Sequence, residues 1–322
     1  MLSLLAYEPE KGVRFIEDLE TISDLIAEPD VILWLDALDP SHEEMNFLAK
    51  EFEFHPLAIE DYFAPHHRPK VDEYPGYFFV VTHSVSYHPE SGEVRPLELD
   101  LFVGRNYIVT VHREPLSSLE ETARRWQANP GMQREGAGLL LYQILSSMVD
   151  SYFPVLDEID AKLDEIEDDI FERGGRASVE VIFRLKRGLV VLRRIAAPLR
   201  DTFNILTRRE HPLLSANTIT YLRDIYDETL RIVDAIDTYR DILTGALDAY
   251  LTVMSNQLNS VMKTLTVVAT VLISVTVITG IYGMNFRYMP EIHWHYGYPA
   301  ALGAMAATAF ILLYYFKRIK WL

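Results

Sequence analysis

Four aspartates, Asp227, Asp234, Asp241 and Asp248, recur seven residues apart in a stretch with no proline between Leu213 and Met289. A seven-residue period keeps one face of a helix on a common axis when helices supercoil. The chemistry open to such a column is electrostatic: copies of the helix around an axis would stack carboxylates into rings that draw cations. On a single helix the same aspartates are simply its solvated face. Carried forward, the column falls on Ser255, Met262, Ala269 and Thr276, and its half-heptad companions are Asn259, Thr266, Ile273 and Gly280. Polar and small residues on an otherwise apolar helix suit either close helix packing or a polar path.

The other residues able to bind metal are histidines, His66 beside His67 and His293 near His295. Adjacent histidines in a strand or loop point apart, and nothing nearby completes a tetrahedral set, which argues against structural zinc. Cysteine is absent, so thiolate sites and disulfides are excluded. The sequence holds no P-loop, no zinc-protease helix motif and no serine or cysteine nucleophile signature, which sets aside enzymes and ATP-driven pumps.

Charge is unevenly placed. The chain of 322 residues carries 30 basic and 47 acidic side chains. From Asn259 onward, however, Lys263, Arg287, Lys317, Arg318 and Lys320 face Glu291 alone. An acidic body on a basic, apolar tail is a poor nucleic-acid binder and a fit partner for cations. The N-terminus lacks the basic flank and long apolar run of a signal peptide, so the body is expected in the cytoplasm.

The elements that must position these residues follow from patterning. Residues 1–135 read as a mixed α/β domain, with strands in "VILWLDAL", "YFFVVTHSVSY", "LELDLFVG" and "NYIVTVHR" and a capped helix from Ser41. Residues 136–210 read as a helical hairpin. Its first helix carries nine acids between Asp157 and Glu172 and its second carries Arg184, Lys186, Arg187, Arg193, Arg194 and Arg200. Complementary charge between the two is the plain reading. A stalk helix over 211–262 continues into a first transmembrane helix at 263–283, uncharged from 264 to 282 and close to bilayer thickness at about 1.5 Å per residue. An extracytoplasmic loop, 284–298, leads to a second span, 299–317, and a basic tail, 318–322. Lysine and arginine beside the span ends place both termini in the cytoplasm. The expected fold is therefore an α+β membrane protein.

The loop carries a family resemblance. "YGMN", Tyr282 to Asn285, directly after the first span, resembles the Gly-Met-Asn signature of the CorA magnesium transporters. "FRYMPE", "WHYGYP", "NSVMKTLT", "YFKRIKWL" and "HPLAIEDYFAPHHRPKVDEYPGYFFVV" extend the similarity over most of the chain. The resemblance implies a homopentameric funnel in the inner membrane, with its pore lined by the first span. It makes Gly283, Met284 and Asn285 a selectivity filter for hydrated cation. It places Asn259, Met262, Leu265, Thr266, Ala269, Ile273, Thr276 and Gly280 along the path, with Met262 and Leu265 as an apolar constriction. It also implies closure by intracellular Mg²⁺ held between subunits at Asp61 and Asp248, with Glu60 and Asp224 at a neighbouring site where Ser146 replaces another acid.

These readings lead to Mg²⁺ influx down its gradient, with Co²⁺ and Ni²⁺ as further substrates and neither ATP nor an organic cofactor. A zinc transporter of the same superfamily is one alternative, against which "MPE" after "GMNF" speaks. A membrane-anchored cation sensor that does not conduct is another, and it would leave the polar stripe without a purpose.

Overall fold

The computed structural model describes the chain apart from residues 65, 66, 89–91, 130, 132, 134, 173–177, 209–212, 286 and 322 and the side chains of 171, 172, 178, 291 and 292. His66 of the histidine pair and Phe286 of the loop lie outside the described residues. The chain divides into two units, 1–168 with 177–246, and 169–176 with 247–322.

The first unit is built on a seven-stranded sheet. Its strands are β1 (Leu2–Glu8), β2 (Gly12–Ile16), β3 (Ile32–Leu38), β4 (Lys70–Tyr74), β5 (Tyr77–His88), β6 (Glu93–Gly104) and β7 (Tyr107–His112), in the order β2-β1-β3-β7-β6-β5-β4. Only β3 and β7 pair in parallel; the other neighbours are antiparallel. The long β5–β6 hairpin keeps one register from Tyr77 opposite Gly104 to His88 opposite Glu93. The turn before it uses Gly76 at φ +89°, a conformation that glycine adopts at little cost.

Both faces of this sheet are covered, so its central strands are apolar on both sides. One face receives α1 (Ile22–Ala27), α2 (His42–Glu51) and α3 (Pro56–Phe63). A capping box between Ser41 and Glu44 starts α2, and His55 caps α3 ahead of Pro56. Their core is aromatic: Phe54 stacks on Phe102 at 4.0 Å and tilts against Tyr77 at 5.2 Å. The Asn106 amide donates to the carbonyls of Ile26, Glu28 and Val31, each at 3.1 Å, and so ties the loop before β3 to the start of β7.

The opposite face packs beneath α4 (Ser117–Ala128), α5 (Ala137–Asp150), α6 (Tyr152–Glu172) and α7 (Ser178–Arg208). Trp34 meets Trp126 edge-on at 6.0 Å and donates its indole N–H to Thr110 Oγ1 at 3.1 Å. The Tyr152 hydroxyl, fully buried, donates to the His83 carbonyl at 3.0 Å. Among the described residues the ion pairs of basic α7 run within it and to the helix Ala216–Tyr282. Arg184 reaches Glu180 and Arg200 reaches Asp201 within α7 itself, while Arg193 clasps Asp237 at 2.7 Å.

One helix, α8 (Ala216–Tyr282), runs without interruption through 67 residues. In the second unit its C-terminal part is followed by a short 3₁₀ turn, Pro290–His293, and by α9 (Gly297–Arg318). Among the described residues three helical stretches are long and apolar enough to cross a membrane. In Ala137–Ile170 half of the apolar window is buried within the fold, against 6% in α8 and 11% in α9. Burial explains the apolar character of the first stretch, whereas among the described residues little covers the other two.

Candidate ion path and cation sites

All four aspartates of the ladder, Asp227, Asp234, Asp241 and Asp248, are exposed on α8. The same helix buries Leu222, Ile225, Ile232, Val233, Ile236 and Leu243 on its other side, so the 3.6-residue period divides it into a packed and an open face. Further along, Asn259, Met262, Leu265, Thr266, Ile273, Thr276 and Gly280 are exposed as well, and Ala269 is half-buried. Met262, Leu265 and Ile273 each leave more than half of their surface uncovered. This residue set therefore has room for a neighbouring molecule.

Hydroxyl chemistry along the stripe is directional. Thr266 Oγ1 donates to the Met262 carbonyl and Thr276 Oγ1 to the Leu272 carbonyl, both at 2.8 Å. With its proton committed to the helix backbone, each oxygen offers its surroundings acceptor lone pairs, as a cation or its water requires.

Gly283, Met284 and Asn285 follow the end of α8 and are exposed. The Gly283 amide donates to the Thr279 carbonyl at 2.9 Å and the Met284 amide to the Ile281 carbonyl at 3.3 Å, closing the last turn. Gly283 does not adopt a positive φ; its lack of a side chain serves close approach instead, since a Cβ there would stand 3.3 Å from the Thr279 carbonyl. Beside it, Thr279, Tyr282, Trp294 and Tyr298 help line a cavity of about 540 Å³ between the end of α8 and the start of α9.

The carboxylates expected to regulate fall in different settings. Asp61, Glu60 and Asp224 belong to the first unit and Asp248 to the second. Asp61 on α3 is half-buried and is held by Lys70. Burial pulls the Lys70 pKa down, yet Asp61 and Asp72 outweigh it and leave the ammonium more firmly charged than usual. Glu60 is exposed. Asp224 accepts from the Tyr142 hydroxyl at 3.3 Å.

Two acids that sequence reasoning passed over stand near Asp224. Glu228 lies one turn on, and burial together with Asp150 and Asp224 raises its pKa against the pull of Arg231. Asp150 is itself shifted up, chiefly by burial. Ser146, the position lacking an acid, touches Tyr142 in the same cluster. Spacing of four, from Ser146 to Asp150 along α5 and from Asp224 to Glu228 along α8, was the signal that could have found them. Even so, among the described residues no three His, Asp or Glu side chains of the protomer are arranged to hold a metal.

The chain is 39% identical over 272 residues to the cobalt/magnesium transport protein CorA of Thermotoga maritima, covering 84% of this chain and 78% of that one. It is 37% identical over 297 residues to the putative metal ion transporter YfjQ of Bacillus subtilis, covering 92% of each. The complete structure of the CorA magnesium transporter from Methanocaldococcus jannaschii shares the fold, with a TM-score of 0.83 over 99% of this chain and 98% of that one at 24% identity. A family model, the CorA-like Mg²⁺ transporter protein, matches residues 29–318, and the chain belongs to that family.

Proposed function

We propose that this chain is a magnesium channel, carrying Mg²⁺ into the cytoplasm down its electrochemical gradient, with Co²⁺ and Ni²⁺ as further substrates. The observation that carries the reading is the stripe on α8: Asn259, Thr266, Thr276 and Gly280, exposed in the protomer, lead directly to Gly283, Met284 and Asn285. A single protomer has too few spans to enclose a path, so the reading requires an oligomer, and a homopentamer is the form we assign. In it α8 and α9 cross the inner membrane, and Lys263, Lys317, Arg318 and Lys320 hold both termini inside.

Mg²⁺ keeps its water tightly, so a ring of Asn285 amide oxygens can select the hydrated ion by accepting from its water ligands, without stripping them. Met262 and Leu265 form the closed gate, since a narrow apolar ring is costly to wet. An inside-negative potential favours each divalent entry by about 4 to 5 kcal/mol per 100 mV. Closure follows from cytoplasmic Mg²⁺ bridging carboxylates of neighbouring subunits, Asp61 with Asp248 and Glu60 with Asp224. Shared ligation between copies agrees with the lack of a three-acid set among the described residues of one chain. Asp150 and Glu228 supply near Asp224 the negative charge that Ser146 does not.

The deciding experiment is Mg²⁺ influx into liposomes containing the purified oligomer, read by an Mg²⁺-sensitive dye with zero or millimolar Mg²⁺ on the cytoplasmic face. Influx that cytoplasmic Mg²⁺ suppresses supports both pore and feedback. No influx under either condition, from protein shown to be oligomeric, replaces the channel with a non-conducting sensor.

A further inference from the structure

Away from the stripe, the sheet of the first unit bears a cavity of about 280 Å³ near the ends of β6 and β7. Its polar lining includes Glu98, Asp100, Arg95, Arg113 and Glu114. Asp100 is 2% exposed, and its Oδ1 has no hydrogen-bond partner among the described residues. Glu98 shares the same sheet face two residues away. Burial, with Glu98 beside it, raises the Asp100 pKa well above the usual carboxylate range, and a buried carboxyl oxygen without a donor is costly and rare enough to ask for a partner.

The basic groups nearby are already engaged: His83 Nε2 stands 3.5 Å from Glu98 Oε2, and Lys70 pairs with Asp61 and Asp72. Arg95 donates to Glu114 at 2.6 Å, and Arg113 donates to the Tyr62 carbonyl at 2.8 Å with its guanidinium over the Tyr62 ring. Neither supplies the missing donor to Asp100. What remains open in the cavity is thus an acceptor facing partly apolar walls of Pro96, Leu97, Val111 and Leu116.

The geometry points to a binding site for a small primary alkylammonium ion, its N–H donors on Asp100 and Glu98 and its short carbon chain along the apolar wall. A divalent ion fits less well. It would meet the positive charges of Arg113 and Lys70, which act on Asp100 against the negative charges of Glu98 and Asp61, and no three His, Asp or Glu side chains are arranged to hold a metal among the described residues. An ammonium ion carries half that charge and has apolar surface to bury. The volume, just under the usual range of small-molecule pockets, restricts the ligand to a few heavy atoms. The site does not rest on the transport reading, but Asp61, the carboxylate assigned to regulation, lies close enough to act on Asp100.

The test uses the full-length oligomer in detergent, titrated with n-butylammonium chloride and followed by calorimetry and ligand-observed NMR. Sodium and tetramethylammonium chlorides at equal ionic strength serve as controls. Saturable binding of butylammonium alone, weakened about tenfold in Asp100→Asn and reduced in Glu98→Gln, supports the site. Butylammonium binding equal in parent and Asp100→Asn overturns it, as does binding no stronger than that of the controls. Displacement of butylammonium by low Mg²⁺ would assign the pocket to the metal instead. Should Asp100→Asn fail to fold, a structure of the parent in butylammonium decides: an amine on Asp100 Oδ1 supports the inference, and an ordered water alone there refutes it.

Discussion

Lys70 Nζ stands 2.5 Å from Oδ2 of Asp61 and 2.7 Å from Oδ2 of Asp72. The carboxylate assigned here to regulatory Mg²⁺ is therefore already paired with a cation of its own chain. Mg²⁺ has to displace that ammonium or share Asp61 with it. Lys70→Met should then lower the Mg²⁺ concentration that half-closes the channel, by about two- to fivefold for a partly exposed ion pair. Dye influx against cytoplasmic Mg²⁺ reads this directly. Coincident curves for variant and parent would remove Asp61 from the regulatory set.

Asn285→Ala removes the amide that is to receive hydrated ion while leaving α8 and its last turn intact, because the closing bonds come from the amides of Gly283 and Met284. Flux should be lost while size-exclusion behaviour and thermal stability match the parent. Undiminished flux would take the loop out of the mechanism.

Much of this architecture was legible in sequence, and the exceptions have physical causes. Strands β3, β5, β6 and β7 announce themselves through runs of β-branched and aromatic residues, and α8 through its period and its uncharged end. β4 did not, because Lys70, Asp72 and Glu73 give an edge strand a loop-like composition. β1, "LSLLAYE", is buried by a hairpin partner and by β3, neither of which its seven residues disclose. Asp100 reads in "LELDLFVG" as a polar position of an alternating strand. Only the second helical layer makes both faces interior. The contact of Tyr142 with Asp224 joins residues 82 apart, beyond any local pattern.

His112 gives a pH dependence. Burial depresses its pKa, but Asp36 at 3.1 Å from Nε2 and the Glu114 carbonyl at 2.6 Å from Nδ1 more than compensate, so the net shift is upward. Two acceptors suit the imidazolium, which donates from both nitrogens. The folded pKa exceeds the unfolded value, about 6.5. The contribution to stability is thus complete below about pH 6.5 and is lost as pH rises through the folded pKa. Thermal unfolding of the parent should lose stability across that window. In His112→Gln the loss should be smaller, and equal slopes for the two proteins would assign the dependence to other groups.

Gly138 marks where α5 meets the start of α8. A Cβ on it would fall 2.0 Å from Thr218 Oγ1, closer than atoms can approach, and a tight 3.1 Å from Thr218 Cβ. Thr218 is 4% exposed, and its hydroxyl and amide are tied to Ser215 at 2.9 and 3.1 Å, so it has little freedom to retreat. Gly138→Ala should therefore destabilise the first unit by about 1 to 3 kcal/mol, the usual cost of overpacking. Gly138→Ala with Thr218→Ser removes the methyl while keeping the hydroxyl close to the new Cβ and should recover little. Gly138→Ala with Thr218→Gly opens the space and should recover more of the contact, at the expense of a helix-interior glycine worth about 1 kcal/mol. Chemical unfolding of the three variants separates the clash from the helix propensity: if both double variants behave like the single one, the helices are held apart by something other than Thr218.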